Sequence, residues 1–168
     1  MIQIGSILPS PTLTLRPFCA SDAQYFASLA ADERVVRYIG FGQPWSQSDI
    51  DSCIEAALKG DALDTVGSSR WYVATEATQS VGILFSTRQE DSVEIGYWVT
   101  PAHWGRGVAT AILDLALASV PKLFQLDKLT AGVAPANTLS ARLLTNRGFT
   151  LESHSDELEQ YVLNQRSS

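Results

Sequence analysis

Two glycines, Gly105 and Gly107, stand one residue apart in the stretch PAHWGRGVATAILDLAL, directly ahead of a long apolar run. The first three or four N–H groups of a helix have no intrahelical acceptor, and the helix dipole adds partial positive charge there. Glycines without Cβ let an anion approach that backbone and turn successive N–H groups inward as a nest, which is the chemistry a pyrophosphate requires. A G-x-G pair alone fits an ordinary strand-to-helix loop equally well. Two rivals with the same chemistry fail on spacing. A dinucleotide fingerprint needs Gly or Ala where Thr110 stands, and Asp127, about 20 residues on, does not close a second strand. A P-loop needs Gly-Lys-Ser/Thr after four spacers, and nothing in the sequence matches.

Three further side chains have the types for chemistry. Glu94 lies in SVEIGYWV, where alternation puts Glu94, Gly96 and Trp98 on one face and Val93, Ile95, Tyr97 and Val99 on the other. A glutamate in an apolar strand sits either on a solvated face or in a cleft. Asn137 and Ser140 are three apart in APANTLSARLLTNRGF, on one helix face. Asn137 suits an N-cap, and Ser140 suits a small helix residue bonded back to a carbonyl. His103 is expected on an exposed loop and His154 near a strand end, and the two lack metal-ligand spacing. No G-x-S-x-G elbow is present.

The elements that must position these residues follow from periodicity. Residues 12–17, TLTLRP, alternate as a short strand; residues 21–40 change to helical spacing with Ser21 or Asp22 as N-cap. Ser46 and Asp49 resemble a capping box at the head of a helix that Gly60 stops. RWYVATE, SVGILFSTR and SVEIGYWVT are three strands joined by short polar turns, predicting consecutive antiparallel pairing. A helix from about Val108 follows, which Pro121 is expected to end or kink. Strand KLTAGVA, helix NTLSARLLTNRG and two short strands near FTLES and LEQYVLN complete the chain. The order predicts a mixed α/β fold in one domain spanning residues 1–168.

The bulk properties narrow the function. The 168 residues, 45% apolar and 18% charged, describe a folded globular chain with a substantial core. A net charge of −6 argues against nucleic acid and modestly favours a cationic amine. No apolar run is long enough to span a membrane, and the N-terminus has no secretion-signal pattern. Cys19 and Cys53 are read as reduced thiols, so the cytoplasm is the expected location.

EIGYWVTPAHWGRGVATAIL followed by AGVAPANTLSARLLTNRGF resembles the GNAT N-acetyltransferases, particularly the RimJ/RimL-type branch of ribosomal-protein alanine and serine N-acetyltransferases. LTLRPFCASDA and RVVRYIG are similar to that branch too, so the resemblance covers residues 12–152. It implies the GNAT fold: a mostly antiparallel, twisted central sheet splayed near Val99, with helices on both faces. It also implies acetyl-CoA as cofactor, with the pyrophosphate on amides of Gly105, Arg106, Gly107, Val108, Ala109 and Thr110. The pantetheine arm would run beside Trp98 and Val99, with Trp104 close by. Trp104 stands where the family pattern has Gln or Arg; Gly107 and Ala109 match its glycine positions. Asn137 would position pantetheine, Ser140 would hydrogen-bond the sulfur and protonate the thiolate, and Glu94 would be a base acting through water. Arg142 or Arg147 would reach the 3′-phosphate. Tyr38, Phe41, Trp45 and Trp71 would line an acceptor pocket.

The implied reaction moves an acetyl group directly to a primary amine, on a protein N-terminus, an amino acid or a small molecule. An acyl-CoA-binding module without catalysis is the alternative on the same fold. No metal is expected. The final strands offer an edge to a second copy, leaving a homodimer open.

Overall fold

The computed structural model describes residues 12–39 and 42–165. Phe41, expected to face the acceptor, and the N-terminal segment read for a secretion signal lie outside or mostly outside those residues.

Seven strands form one sheet in the order β1-β2-β3-β4-β5-β7-β6. They are β1 (Thr14–Pro17), β2 (Ser69–Glu76), β3 (Gln79–Arg88), β4 (Val93–Val99), β5 (Lys128–Val133), β6 (Thr150–His154) and β7 (Glu159–Asn164). Neighbours are antiparallel except β4 and β5, which run parallel. The meander expected from the short polar turns is present, and the splay is too. β4 and β5 pair only at Val93–Leu129 and Glu94–Thr130. The strands part immediately after Glu94, five residues earlier than the expected Val99.

The helices cover both faces: α1 (Ala23–Ala30), α2 (Glu33–Val36), α3 (Gln47–Leu58), α4 (Val108–Phe124) and α5 (Thr138–Asn146). The alternation read in β4 divides the two cores as expected. Val93, Ile95 and Val99 join Ile112, Leu113 and Ala116 of α4 and Leu144 of α5. Trp98 faces the other way, into a core with Phe26 of α1, Val36 of α2 and Ile50 of α3. β4 and α4 both crowd Gly82, where a Cβ would fall 2.6 Å from the Trp98 carbonyl oxygen of β4 and 2.7 Å from Ile112 Cδ1 of α4. Pro121 does not end α4, which continues to Phe124 before Gln125 turns left-handed. No helix among the described residues is long and apolar enough to cross a membrane.

The helical spacing of residues 21–40 resolves into two helices, because Asp32 is extended and its side chain accepts from Arg34 N, starting α2 afresh. Ser46 caps α3 by accepting from Asp49 N at 3.1 Å. Asp22 precedes α1 but is not its side-chain cap. Its carboxylate takes two hydrogen bonds from the Arg16 guanidinium, at 2.8 and 2.7 Å, and one from Cys19 N at 3.0 Å. This ties β1 to the entrance of α1.

The Arg16 hydrogen bonds hold the nearly buried Asp22 carboxyl down at about 2, against the cost of its burial. A depressed carboxylate stabilises the fold above its unfolded value near 3.8, and the contribution disappears as pH falls through about 2. Asp22→Ala is expected to lower stability by about 2 kcal/mol at neutral pH. Denaturant titrations at several pH values should show that difference narrowing below pH ~4.

Candidate active site

The divergence of β4 from β5 opens a wedge, and beside it lies a cavity of about 390 Å³. Its floor is the end of β4, with Tyr97, Trp98 and Val99. One wall is the loop and first turn of α4, the second is the start of α5 with its N-cap Asn137, Leu139 and Ser140, and the third is α2 and the turn after it, with Arg34, Val35 and Tyr38. Three exposed apolar side chains mark the rim: Trp104 at 49%, Leu139 at 76% and Tyr38 at 37% exposure.

The glycine loop is built as its sequence requires. Gly107 is the N-cap of α4 with φ 79°, and Gly105 has φ 76°, both in the left-handed region that favours glycine. No side chain caps the helix. Ala111 N donates to Gly107 O at 3.0 Å, the first bond of the helix. None of the six N–H groups from Gly105 to Thr110 makes a hydrogen bond of good geometry among the described residues. Six consecutive free donors at a helix N-terminus constitute an anion cradle made of main chain.

The side chains of the loop point elsewhere. Arg106 donates to His103 Nδ1 at 2.9 Å and pairs with Glu76 at 3.3 Å, so its guanidinium is turned toward the β2–β3 hairpin. His103, expected on an exposed loop, is buried at the cavity wall. The Trp104 indole donates to Val99 O at 2.8 Å. In the antiparallel β3–β4 ladder the main-chain groups alternate, and Thr100 N donates to Val81 O. Val99 and Tyr97 therefore direct their backbone groups away from β3, toward the wedge.

Asn137 starts α5, with its side-chain oxygen accepting from Ser140 N at 3.3 Å. Capping and ligand contact use different atoms of this one side chain. The oxygen caps the helix, while the amide nitrogen has no hydrogen-bond partner among the described residues. Ser140 shares the cavity-facing side with Asn137, as i,i+3 spacing demands. Arg142, two residues on, falls on another side and does not line the cavity. Arg147 is engaged by Asp114 of α4 through bonds of 2.6 and 3.2 Å.

The remaining candidates are dispersed. Glu94 is exposed on the α1–α3 side of β4, four residues and roughly 13 Å up the strand from Trp98, and does not line the cavity. Trp45 packs edge-on against Phe26 and Trp98 with centroids at 5.9 and 5.4 Å. Trp71 packs on Phe18 and Phe85 at 5.2 and 4.7 Å. Both tryptophans belong to an aromatic core, and of the expected acceptor-side aromatics Tyr38 lines the cavity. His154 lies on exposed β6, three strands from β4. No group of three His, Cys, Asp or Glu among the described residues is placed to hold a metal.

Sequence reading missed Arg34, Val35 and Leu139, because α2 was not separated from α1 and Leu139 reads as another apolar helix residue. It placed Tyr97 on the core face without noting that a hydroxyl there needs a partner. Burial pushes the Tyr97 phenol above its ordinary range, and the nearby Ser140 hydroxyl opposes that shift.

A family model described as an acetyltransferase (GNAT) domain matches residues 12–150. YoaA of Bacillus subtilis, described as an uncharacterized N-acetyltransferase, is 27% identical over 162 residues, covering 93% of this chain and 88% of YoaA. The uncharacterized N-acetyltransferase p20 of Bacillus licheniformis is 26% identical over 148 residues, covering 83% and 80%. The spermidine N-acetyltransferase of Vibrio cholerae, solved in complex with CoA and spermine, has the same fold with a TM-score of 0.76 at 20% identity, covering 91% of this chain and 95% of that one. The GNAT domain of S. lividans PAT gives 0.70 at 23% identity and 89% coverage of each.

The two atoms of Asn137 can be separated by substitution. Asn137→Ala removes the cap and is expected to cost about 1 kcal/mol. Asn137→Asp keeps an oxygen acceptor at the cap and adds favourable charge at the helix N-terminus, so its melting temperature should match or exceed wild type. Thermal unfolding of the two variants checks this.

Proposed function

We propose that this chain, which belongs to the GNAT acetyltransferase family, seats acetyl-CoA in the wedge between β4 and β5 and acetylates a primary amine by direct transfer. The observation that carries the reading is the run of six uncommitted amides from Gly105 to Thr110 at the N-terminus of α4, in the segment that walls the cavity at the end of β4. Free amides at that end support a diphosphate, and the Tyr97 and Val99 main chain supports the amide-bearing pantetheine arm. The named N-acetyltransferase relatives favour an enzyme over a binding module without catalysis.

Acetyl-CoA supplies an acyl group activated as a thioester. The chain's part is binding and orientation, which convert a two-body encounter into reaction within one complex. Gly105 to Thr110 hold the diphosphate through main chain. Asn137 donates its free amide hydrogens to the arm, and Trp98, Val99 and Trp104 wall it in. Ser140 Oγ meets the sulfur and protonates it as the carbon–sulfur bond breaks. Arg106 contributes its backbone N–H, its side chain being engaged by Glu76 and His103. Arg142, exposed on α5, is available to the 3′-phosphate beyond the cavity.

The cavity lining contains no Asp or Glu among the described residues, and Arg34, which lines it, is paired with Asp32 at 2.7 Å. That composition supports an acceptor needing little help with deprotonation. An α-amine with pKa near 7.7–8.0 is roughly one-tenth neutral at pH 7, whereas an alkyl amine near 10.4 is about 4 kcal/mol worse off. A peptide or amino-acid α-amine is therefore the favoured acceptor, consistent with the resemblance to the RimJ/RimL-type branch. Glu94, exposed beyond the aromatic face, attracts a cationic amine and takes the extra proton of its ammonium form through solvent before the amine enters the cavity. Tyr38 lines the entry, with Trp45 and Trp71 supporting the wall behind Trp98. The free thiols Cys19 and Cys53 support a reducing, cytoplasmic setting for a single domain. β6, exposed along its length, supports pairing with a second copy.

Saturating acetyl-CoA is expected to raise the melting temperature. Ala109→Asp puts a carboxylate on the second residue of α4, where the helix dipole favours it but a diphosphate does not. It should fold and lose that shift; full protection in the variant would move the coenzyme elsewhere. Ser140→Ala should lower kcat on the order of 10²-fold with little change in coenzyme affinity. A mass-spectrometric comparison of peptide N-termini, free amino acids and spermidine tests the acceptor. Faster acetylation of spermidine would overturn the α-amine reading.

A further inference from the structure

The Tyr97 phenol oxygen is buried and has no hydrogen-bond partner among the described residues. The side chain lies on the α4–α5 face of β4, packed against that core, and reaches the cavity lined by Ser140. A buried hydroxyl without a partner destabilises a fold, and phenylalanine would fill the same space without that cost. Nothing in the packing requires the oxygen. A reason for it lies in what the cavity does, and of the polar side chains lining the cavity Ser140 is the one near enough to act on the phenol.

We propose that Tyr97 is a positioning residue for the transfer step, donating its Oη–H to Ser140 Oγ so that the serine's own proton is directed at the departing sulfur. This rests on the assignment of the wedge to acetyl-CoA. As the acceptor nitrogen forms its bond to the acyl carbon, the carbon–sulfur bond breaks and its electron pair leaves on sulfur. Ser140 gives its proton to sulfur and takes up the proton that the nitrogen sheds, so it ends as it began. Tyr97 keeps its own proton throughout. Burial raises its affinity for that proton, which suits a permanent donor and excludes it as the acid. Its hydrogen bond stabilises the negative charge that develops on Oγ and leaves a serine lone pair facing the nitrogen.

The test is Tyr97→Phe, Ser140→Ala and the double variant, each measured for melting temperature without ligand, acetyl-CoA affinity, and kcat with an accepted amine. Tyr97→Phe should melt at or above wild type, by up to roughly 2–4 °C. Its coenzyme affinity should stay within about twofold and its kcat fall roughly tenfold. In the Ser140→Ala background the same change should remove almost nothing further, because the two hydroxyls act as one unit. Wild-type kcat in Tyr97→Phe overturns the proposal, as do independent multiplying losses in the double variant. A lower melting temperature with a matching loss of affinity identifies a packing role and overturns it too. Absence of protection of the wild type by acetyl-CoA defeats the coenzyme assignment itself, whereas protection with an unimpaired Tyr97→Phe defeats only the role of Tyr97.

Discussion

The structure depends on a pairing that stops. β4 and β5 share a ladder at Val93–Leu129 and Glu94–Thr130 and then separate, although both strands continue. A parallel pair needs a crossover connection, and α4 supplies it. The helix must begin where β4 ends, so its unsatisfied N-terminal amides arrive beside the open strand edge. The open edge and the free amides are thus two results of one topological decision. An interior sheet edge is ordinarily a liability, and here it is placed under the cover of α4 and α5.

Keeping such an opening requires rigid surroundings, and the two cores provide them from opposite faces. The α4–α5 core grips the base of the wedge through Val93, Ile95 and Leu129. On the other face Trp98 stacks on Phe26 at 5.3 Å and 6°, with Trp45 and Phe85 edge-on to it. Aromatic contacts of this geometry add to the burial of large apolar area. Trp98 therefore anchors the floor of the cavity from behind. The Arg106–His103–Glu76 contacts fix the loop from a third side and keep its cationic side chain out of the anion cradle.

Much of this was legible in the sequence, for identifiable reasons. Strand alternation in SVEIGYWV assigned its residues to the two cores, because a period of two leaves little choice of face. Gly105 and Gly107 marked left-handed backbone ahead of a helix, and Asn137 marked the start of α5. Other features escaped because they depend on tertiary placement. Nothing local tells that the Arg106 guanidinium prefers Glu76, thirty residues away, or that His103 is buried. The break at Asp32 escaped because helical spacing runs across it. Glu94 was readable as an unusual strand carboxylate, but its distance from the cavity follows from where β4 and β5 part. Trp45 and Trp71 show the common ambiguity of aromatic residues, whose types suit a pocket wall and a core equally.

The indole bond from Trp104 to the Val99 carbonyl gives the wedge a measured length. β5 closes the open edge at Glu94, and the indole takes the last outward carbonyl at the opposite end. Between them remain the outward groups of Ile95 and Tyr97 and the Val99 N–H, roughly 13 Å of strand. A guest that continues the sheet must match its polar groups to that short interval, in one register. The tryptophan at the rim thus acts as an end-stop, making the fold a gauge for the spacing of amides along a flexible chain.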